Sequence, residues 1–136
     1  MKQNFEVFDI ETLGINNILK PYSICYSDKD KYVYTIVDNN DEHFLINLIL
    51  NNFKDNVIYY AHNLIFDFTF ILKSILTLKI KYKWLFLDYQ LYEVILIFPL
   101  KKIILRCSLK LIPFALKNFY PYLSDKKKTF FLISNS

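Results

Sequence analysis

A mixed α/β sheet with flanking helices is the fold class this sequence predicts, and three observations predict it. Near the N-terminus, short segments rich in β-branched and aromatic residues alternate with polar turns. Further on, two stretches carry apolar residues at helical spacing, Phe44–Phe53 and about Phe66–Leu76. Between those helices lies Val57–Ala61, an apolar run suited to the middle of a sheet.

The elements follow in order. Phe5–Ile10 is the first strand, and Gly14 with Asn16 and Asn17 opens a loop. Pro21 starts a second strand through Tyr26, Asp28–Asp30 turns, and Lys31–Val37 returns as a third, giving an antiparallel meander. Asp38–Glu42 supplies helix caps and acids near the positive end of the dipole, and Phe44, Leu45, Leu48, Ile49 and Phe53 line one helix face. Asn51–Asn56 ends that helix before the fourth strand. After the second helix, Lys81–Phe98 reads as a hairpin turning near Asp88–Gln90, and Pro99–Lys102 leads into a strand over Ile103–Leu109. Pro113 is placed to begin a last helix through about Tyr122. Three antiparallel strands, a helix, a central strand and a second helix suggest a ribonuclease-H-like topology.

Composition sets the bounds. In 136 residues, 54% hydrophobic and 22% charged, a single core can form and disorder is not expected. The net charge of +4 is compatible with a polyanionic partner but too small to argue for one. Heavy use of Ile, Leu, Phe, Tyr, Lys and Asn, with one glycine, fits an AT-rich genome such as that of an organelle or a linear plasmid. Cys25 and Cys107 match no metal or redox spacing and read as buried thiols in a reducing compartment. The N-terminus has the pattern of neither a signal nor a transit peptide, and no apolar run reaches membrane-spanning length, so the expectation is a soluble protein.

The stretch Val7–Thr12 reads V-F-D-I-E-T. Strand side chains two apart share a face, so Asp9 and Glu11 project together. Two adjacent like charges are unfavourable in a sheet without a counter-charge, and hard carboxylate oxygens suit Mg²⁺ or Mn²⁺. The plain alternative is a strand end where both acids reach water. A second motif, Tyr60–Leu72, reads Y-A-H-N-L-I-F-D-F-T-F-I-L. Its Asp67 can face Asp9 and Glu11 across a shared metal site, Phe66 offers a ring for a base to stack on, and Asn63 can bond backbone or sugar. Equally, Asn63 caps the helix, Asp67 favours the helix dipole and Phe66 packs in the core.

Together, F-D-I-E-T and H-N-x-x-F-D resemble the first two proofreading-exonuclease motifs of family B DNA polymerases. The match is to the protein-primed branch of linear mitochondrial plasmids and some phages. Arg106–Lys117, R-C-S-L-K-L-I-P-F-A-L-K, resembles that branch's R-D-S-L-x-x-L-P-x-S-L-K segment. The three matches run in order over Phe5–Phe119. The resemblance implies that Asp9, Glu11 and Asp67 are catalytic, metal-binding carboxylates of a 3′→5′ exonuclease holding two Mg²⁺ or Mn²⁺ ions about 3.5–4 Å apart. It further implies that Thr12, Tyr60, His62, Asn63, Phe66, Ser108, Leu109 and Phe114 contact the single-stranded DNA 3′ end. In the family, the rest of the polymerase and a terminal protein are the other partners. Residues 1–123 would be a partial exonuclease domain and 124–136 a basic, then apolar tail, in which one of Lys126–Lys128 could assist hydrolysis or simply meet solvent. A mitochondrial matrix location, or a viral origin, follows from the same resemblance.

The departures matter equally. The family completes its metal site with Y-x-x-x-D downstream of the second motif. Here that pattern occurs only at Tyr26–Asp30 and Tyr34–Asp38, between the first two motifs. Polymerase palm motifs are absent from these 136 residues, Cys107 replaces the usual aspartate, and Phe68 stands where glycine often follows the metal-binding aspartate. The expectation is therefore a truncated exonuclease region with little or no nuclease activity alone and no polymerisation. A self-standing small exonuclease, a degenerate single-stranded nucleic-acid-binding module and a decayed reading frame are the alternatives.

Overall fold

Three consecutive strands, β1 (Phe5–Ile15), β2 (Ile18–Asp28) and β3 (Lys31–Ile36), form the antiparallel meander that opens the chain. The computed structural model describes residues 4–110, so the expected helix from Pro113, Phe114 and Lys126–Lys128 lie outside the described residues. Helix α1 (Phe44–Asn52), strand β4 (Ile58–Ala61) and helix α2 (Leu64–Thr77) follow. Then come β5 (Lys81–Leu87), β6 (Gln90–Ile97), β7 (Lys102–Cys107) and a 3₁₀ turn over Ser108–Lys110. The strands make one sheet in the order β3-β2-β1-β4-β7-β6-β5. β4 runs parallel to both β1 and β7, so the carboxyl ends of these three strands point to one edge.

Both helices pack on one face. Leu45, Ile46 and Ile49 of α1 and Leu64, Phe68, Ile71 and Ile75 of α2 share a core with Phe8, Ile10, Ile24, Tyr59, Val94, Leu96, Ile103 and Leu105. Burial of that apolar surface is the main source of stability. Phe53, just past α1, stacks on Tyr59 with centroids 3.9 Å apart and meets the edge of Phe8 at 5.7 Å. The Lys101 ammonium donates to the carbonyls of Leu50 and Phe53 at 2.6 and 2.9 Å, closing orphan acceptors at the C-terminus of α1. His43 Nδ1 meets Ser74 Oγ at 2.7 Å, and that hydroxyl donates to the Glu42 carbonyl at 3.2 Å. With its proton so committed, the serine accepts from the imidazole, which makes this a tie between the helices rather than a nucleophile.

Several boundaries differ from the sequence expectation. The first two strands extend to a two-residue hairpin turn, because Leu13↔Lys20, Gly14↔Leu19 and Ile15↔Ile18 continue the ladder. Asn16 and Asn17 both adopt positive φ, 53° and 64°, as a tight primed turn requires. Gly14 therefore sits in a strand. The acids before α1 lie ahead of its N-cap His43, and its first turn holds none. Asp38 and Asp41 instead accept the N–H groups of Asn40 and His43, building the turn that precedes the helix. The last strand ends at Cys107, so Ser108 and Leu109 lie in the 3₁₀ turn and not in a strand. Cys107 is buried as expected, whereas Cys25 is only half-buried. No helix among the described residues is long and apolar enough to cross a membrane.

Candidate carboxylate site

Alternation along β1 sorts its side chains. Phe8, Ile10 and Thr12 turn toward the helices and are buried, while Asp9 and Glu11 share the opposite face and stay half-buried. β1 is paired with β4 only over Phe5–Val7. Beyond Val7 its β4-side edge is not paired by β4, and this is where α2 begins, after the short turn at His62–Asn63. Asp67, in the first turn of α2, reaches that edge: its Oδ1 accepts the Ile10 N–H at 3.2 Å, between the two β1 acids.

Three carboxylates thus converge from distant parts of the chain. Asp67 is 1% exposed and its Oδ2 has no hydrogen-bond partner. Burial pushes its pKa up to about 8, the Asp9 charge adds to this, and the Ile10 N–H offsets part of it. Asp9 is likewise pushed up to about 8, by burial first and then by a side-chain hydrogen bond to Glu11 and that residue's charge. Such mutual repulsion between buried acids marks a site short of positive charge. Among the described residues, no three His, Cys, Asp or Glu side chains already surround one point closely enough to hold a metal ion.

The other expected residues take varied places. Thr12 is buried on the helix side, across the strand from Asp9 and Glu11, with its hydroxyl lacking a partner. Tyr60 lies on the same face as the two β1 acids, in the cross-strand row Val7–Tyr60–Arg106–Glu93–Leu85. Its ring meets Phe5 edge-on at 5.8 Å, and Arg106 hydrogen-bonds its side chain while pairing with Glu93 at 2.5 Å. His62 and Asn63 form the turn into α2. Burial lowers the His62 pKa, and Asn63 stands at the N-cap without a side-chain capping bond. Phe66 is half-buried with its ring 5.2 Å from Phe70, so it is not a core residue. Ser108 and Leu109 are half-buried just past the end of β7, next to the β4–α2 turn. There the Cys107 thiol donates to the His62 carbonyl at 3.6 Å, where the resembling motif has aspartate. Arg106 as the partner of Tyr60, itself paired with Glu93, has no sequence signal, since only strand register brings the three into one row. A cavity lined by Phe5, Glu6, Asp28 and Lys54 lies at the opposite, amino end of β1, away from the acids.

This arrangement defines a class: a mixed α/β protein with one seven-stranded sheet and two helices, in which acids of β1 and α2 meet where β4 stops pairing with β1. Phi29 DNA polymerase is a solved protein with this fold. In its ternary complex with primer-template DNA and incoming nucleotide substrates it matches with a TM-score of 0.62 at 19% identity, over 89% of this chain and 23% of that chain. Its post-translocation binary complex with primer-template DNA matches with a TM-score of 0.62 at 17% identity, over 88% and 23%. The chain thus spans less than a quarter of the length of that polymerase. No family model and no curated protein matches the sequence.

Proposed function

We propose that this chain is the exonuclease region of a protein-primed family B DNA polymerase and carries the first two acid motifs of its metal-dependent 3′→5′ proofreading site. One observation carries the reading: Asp67, almost wholly buried, is spent on a backbone N–H between Asp9 and Glu11, against the repulsion of both. Once these acids ionise, a bound counter-charge is what would relieve their repulsion. The orphaned Asp67 Oδ2 and the hard oxygens of Asp9 and Glu11 fit Mg²⁺ or Mn²⁺. When bound, such ions activate water and stabilise the leaving 3′ oxygen in phosphodiester hydrolysis. The chain's own residues would do the rest. Asp9, Glu11 and Asp67 hold the ions, the β4–α2 turn with His62 and Asn63 receives the single-stranded 3′ end, and Phe66 offers its ring to a base. Thr12, Tyr60, Ser108, Leu109 and Phe114 are assigned to the same strand by motif resemblance. That resemblance also underlies a mitochondrial or viral setting and a terminal-protein partner.

Because no Y-x-x-x-D follows Asp67 in these 136 residues, the chain by itself should bind Mn²⁺ yet shorten single-stranded DNA little or not at all. The test is Mn²⁺ binding by the purified chain, with expected loss in Asp9→Ala. Unchanged binding in that variant overturns the metal site, and brisk Mn²⁺-dependent shortening overturns the inactivity. A second reading, a metal-independent single-strand-binding module, is favoured by the lack of a ready three-ligand cage among the described residues. It predicts steeply salt-sensitive DNA binding indifferent to divalent cations.

A further inference from the structure

Asp9 and Glu11 do not stand alone on their face of the sheet. The β1–β2 register sets Cys25 directly opposite Asp9 and Ser23 directly opposite Glu11, so four polar side chains fill a two-by-two patch. Cys25 is free and half-buried. Its thiol is pushed up by burial first and then by the charges of Asp9 and Glu11, which agrees with the register in setting both acids beside the sulfur. Ser23 is completely buried, and its hydroxyl has no hydrogen-bond partner. A buried hydroxyl left in that state is unfavourable unless something completes it.

We infer that Cys25 makes this patch a binding site for thiophilic divalent cations, Zn²⁺ or Cd²⁺, held by the Cys25 thiolate and the Asp9 carboxylate, with the Ser23 hydroxyl and water filling the shell. Directly opposed strand residues have Cβ atoms about 4.5–5.5 Å apart. A cation about 2.3 Å from sulfur and about 2.0–2.2 Å from a carboxylate oxygen bridges a gap of that size. The S–H proton leaves as the metal–sulfur bond forms. Thiolate selects soft cations over Mg²⁺ and Mn²⁺, so occupation would engage Asp9 and exclude the hard cation of the proposed function, making the site one that soft metals block. The inference rests on the carboxylate reading only in that last consequence.

The experiment titrates the full chain with Cd²⁺ alone and follows the near-ultraviolet sulfur-to-cadmium charge-transfer band, with Mn²⁺ binding measured in parallel. The expected result is a saturable band that Cys25→Ser abolishes and Cys107→Ser retains, with Asp9→Asn weakening Cd²⁺ binding by about tenfold or more. Cys25→Ala and the wild-type chain alkylated at its accessible thiol serve as second tests of the same sulfur. No band, a band that survives Cys25→Ser, or one indifferent to Asp9→Asn overturns the inference. Mn²⁺ binding without the band rejects this inference and keeps the carboxylate reading; the band without Mn²⁺ binding does the reverse.

Discussion

The carboxylate of Asp67 accepts the backbone N–H of Ile10 at 3.2 Å, joining the first turn of α2 to the stretch of β1 that β4 leaves unpaired. Fifty-seven residues of sequence separate the two, and the bond sets a buried acid between Asp9 and Glu11.

Stability should fall as pH rises in the absence of metal. Asp9 and Asp67 are raised from an ordinary 3.8 to about 8 in the folded chain, so between roughly pH 4 and pH 8 the native state binds more protons than the unfolded one. Their stabilising contribution is present below the unfolded pKa and is lost on passing the folded one. Thermal unfolding should give a higher midpoint at pH 5 than at pH 8, and Asp67→Asn, which keeps an acceptor for Ile10 but no charge, should flatten the difference. A midpoint that climbs between pH 5 and pH 8 would contradict these assignments.

Divalent cations should act in the opposite direction. At pH 8, Mn²⁺ at about a hundred times its dissociation constant should add about 2.7 kcal/mol to the wild-type chain and nothing measurable to Asp9→Ala. Differential scanning calorimetry with and without Mn²⁺ reads both.

Removing the cap on α1 should weaken the whole domain. Lys101→Met deletes two charge-assisted hydrogen bonds to Leu50 and Phe53 while keeping most of the aliphatic stem, and should cost about 1–3 kcal/mol in urea denaturation. A midpoint equal to wild type would show that water replaces the ammonium at no cost.

The aromatic centre of the core offers a larger effect. Phe53 is fully buried between Phe8, Tyr26 and Tyr59, so Phe53→Ala should destabilise by about 3–5 kcal/mol. The same denaturation series would measure it.

At the β1–β2 turn the sign reverses. Asn17 holds φ at 64°, a conformation glycine adopts without strain, so Asn17→Gly should stabilise by about 0.5 kcal/mol. A lower unfolding midpoint for this variant would mean that the asparagine side chain, not the backbone, sets the turn.

The periodicity of Phe44–Phe53 and of about Phe66–Leu76, the continuous apolar β4 and the hairpin turning near Asp88–Gln90 were all legible in the chain, because hydrophobic spacing and turn residues directly reflect which face each element buries and where it ends. So was the shared face of Asp9 and Glu11, since strand alternation needs no tertiary information. The hairpin extension through Leu13–Leu19 was less visible, because exposed aliphatic residues around Gly14 carry no inward–outward alternation to announce a strand. Arrangement across the sheet was not legible at all. Only pairing register could set Cys25 opposite Asp9 and Arg106 beside Tyr60, and only the early end of the β1–β4 ladder leaves the Ile10 N–H for Asp67 to take. The sequence by itself determined which acids exist and which way two of them point. The tertiary structure decided what surrounds them, because proximity between strands far apart in the chain depends on register and on where each ladder stops, and neither quantity is written in any local run of residues.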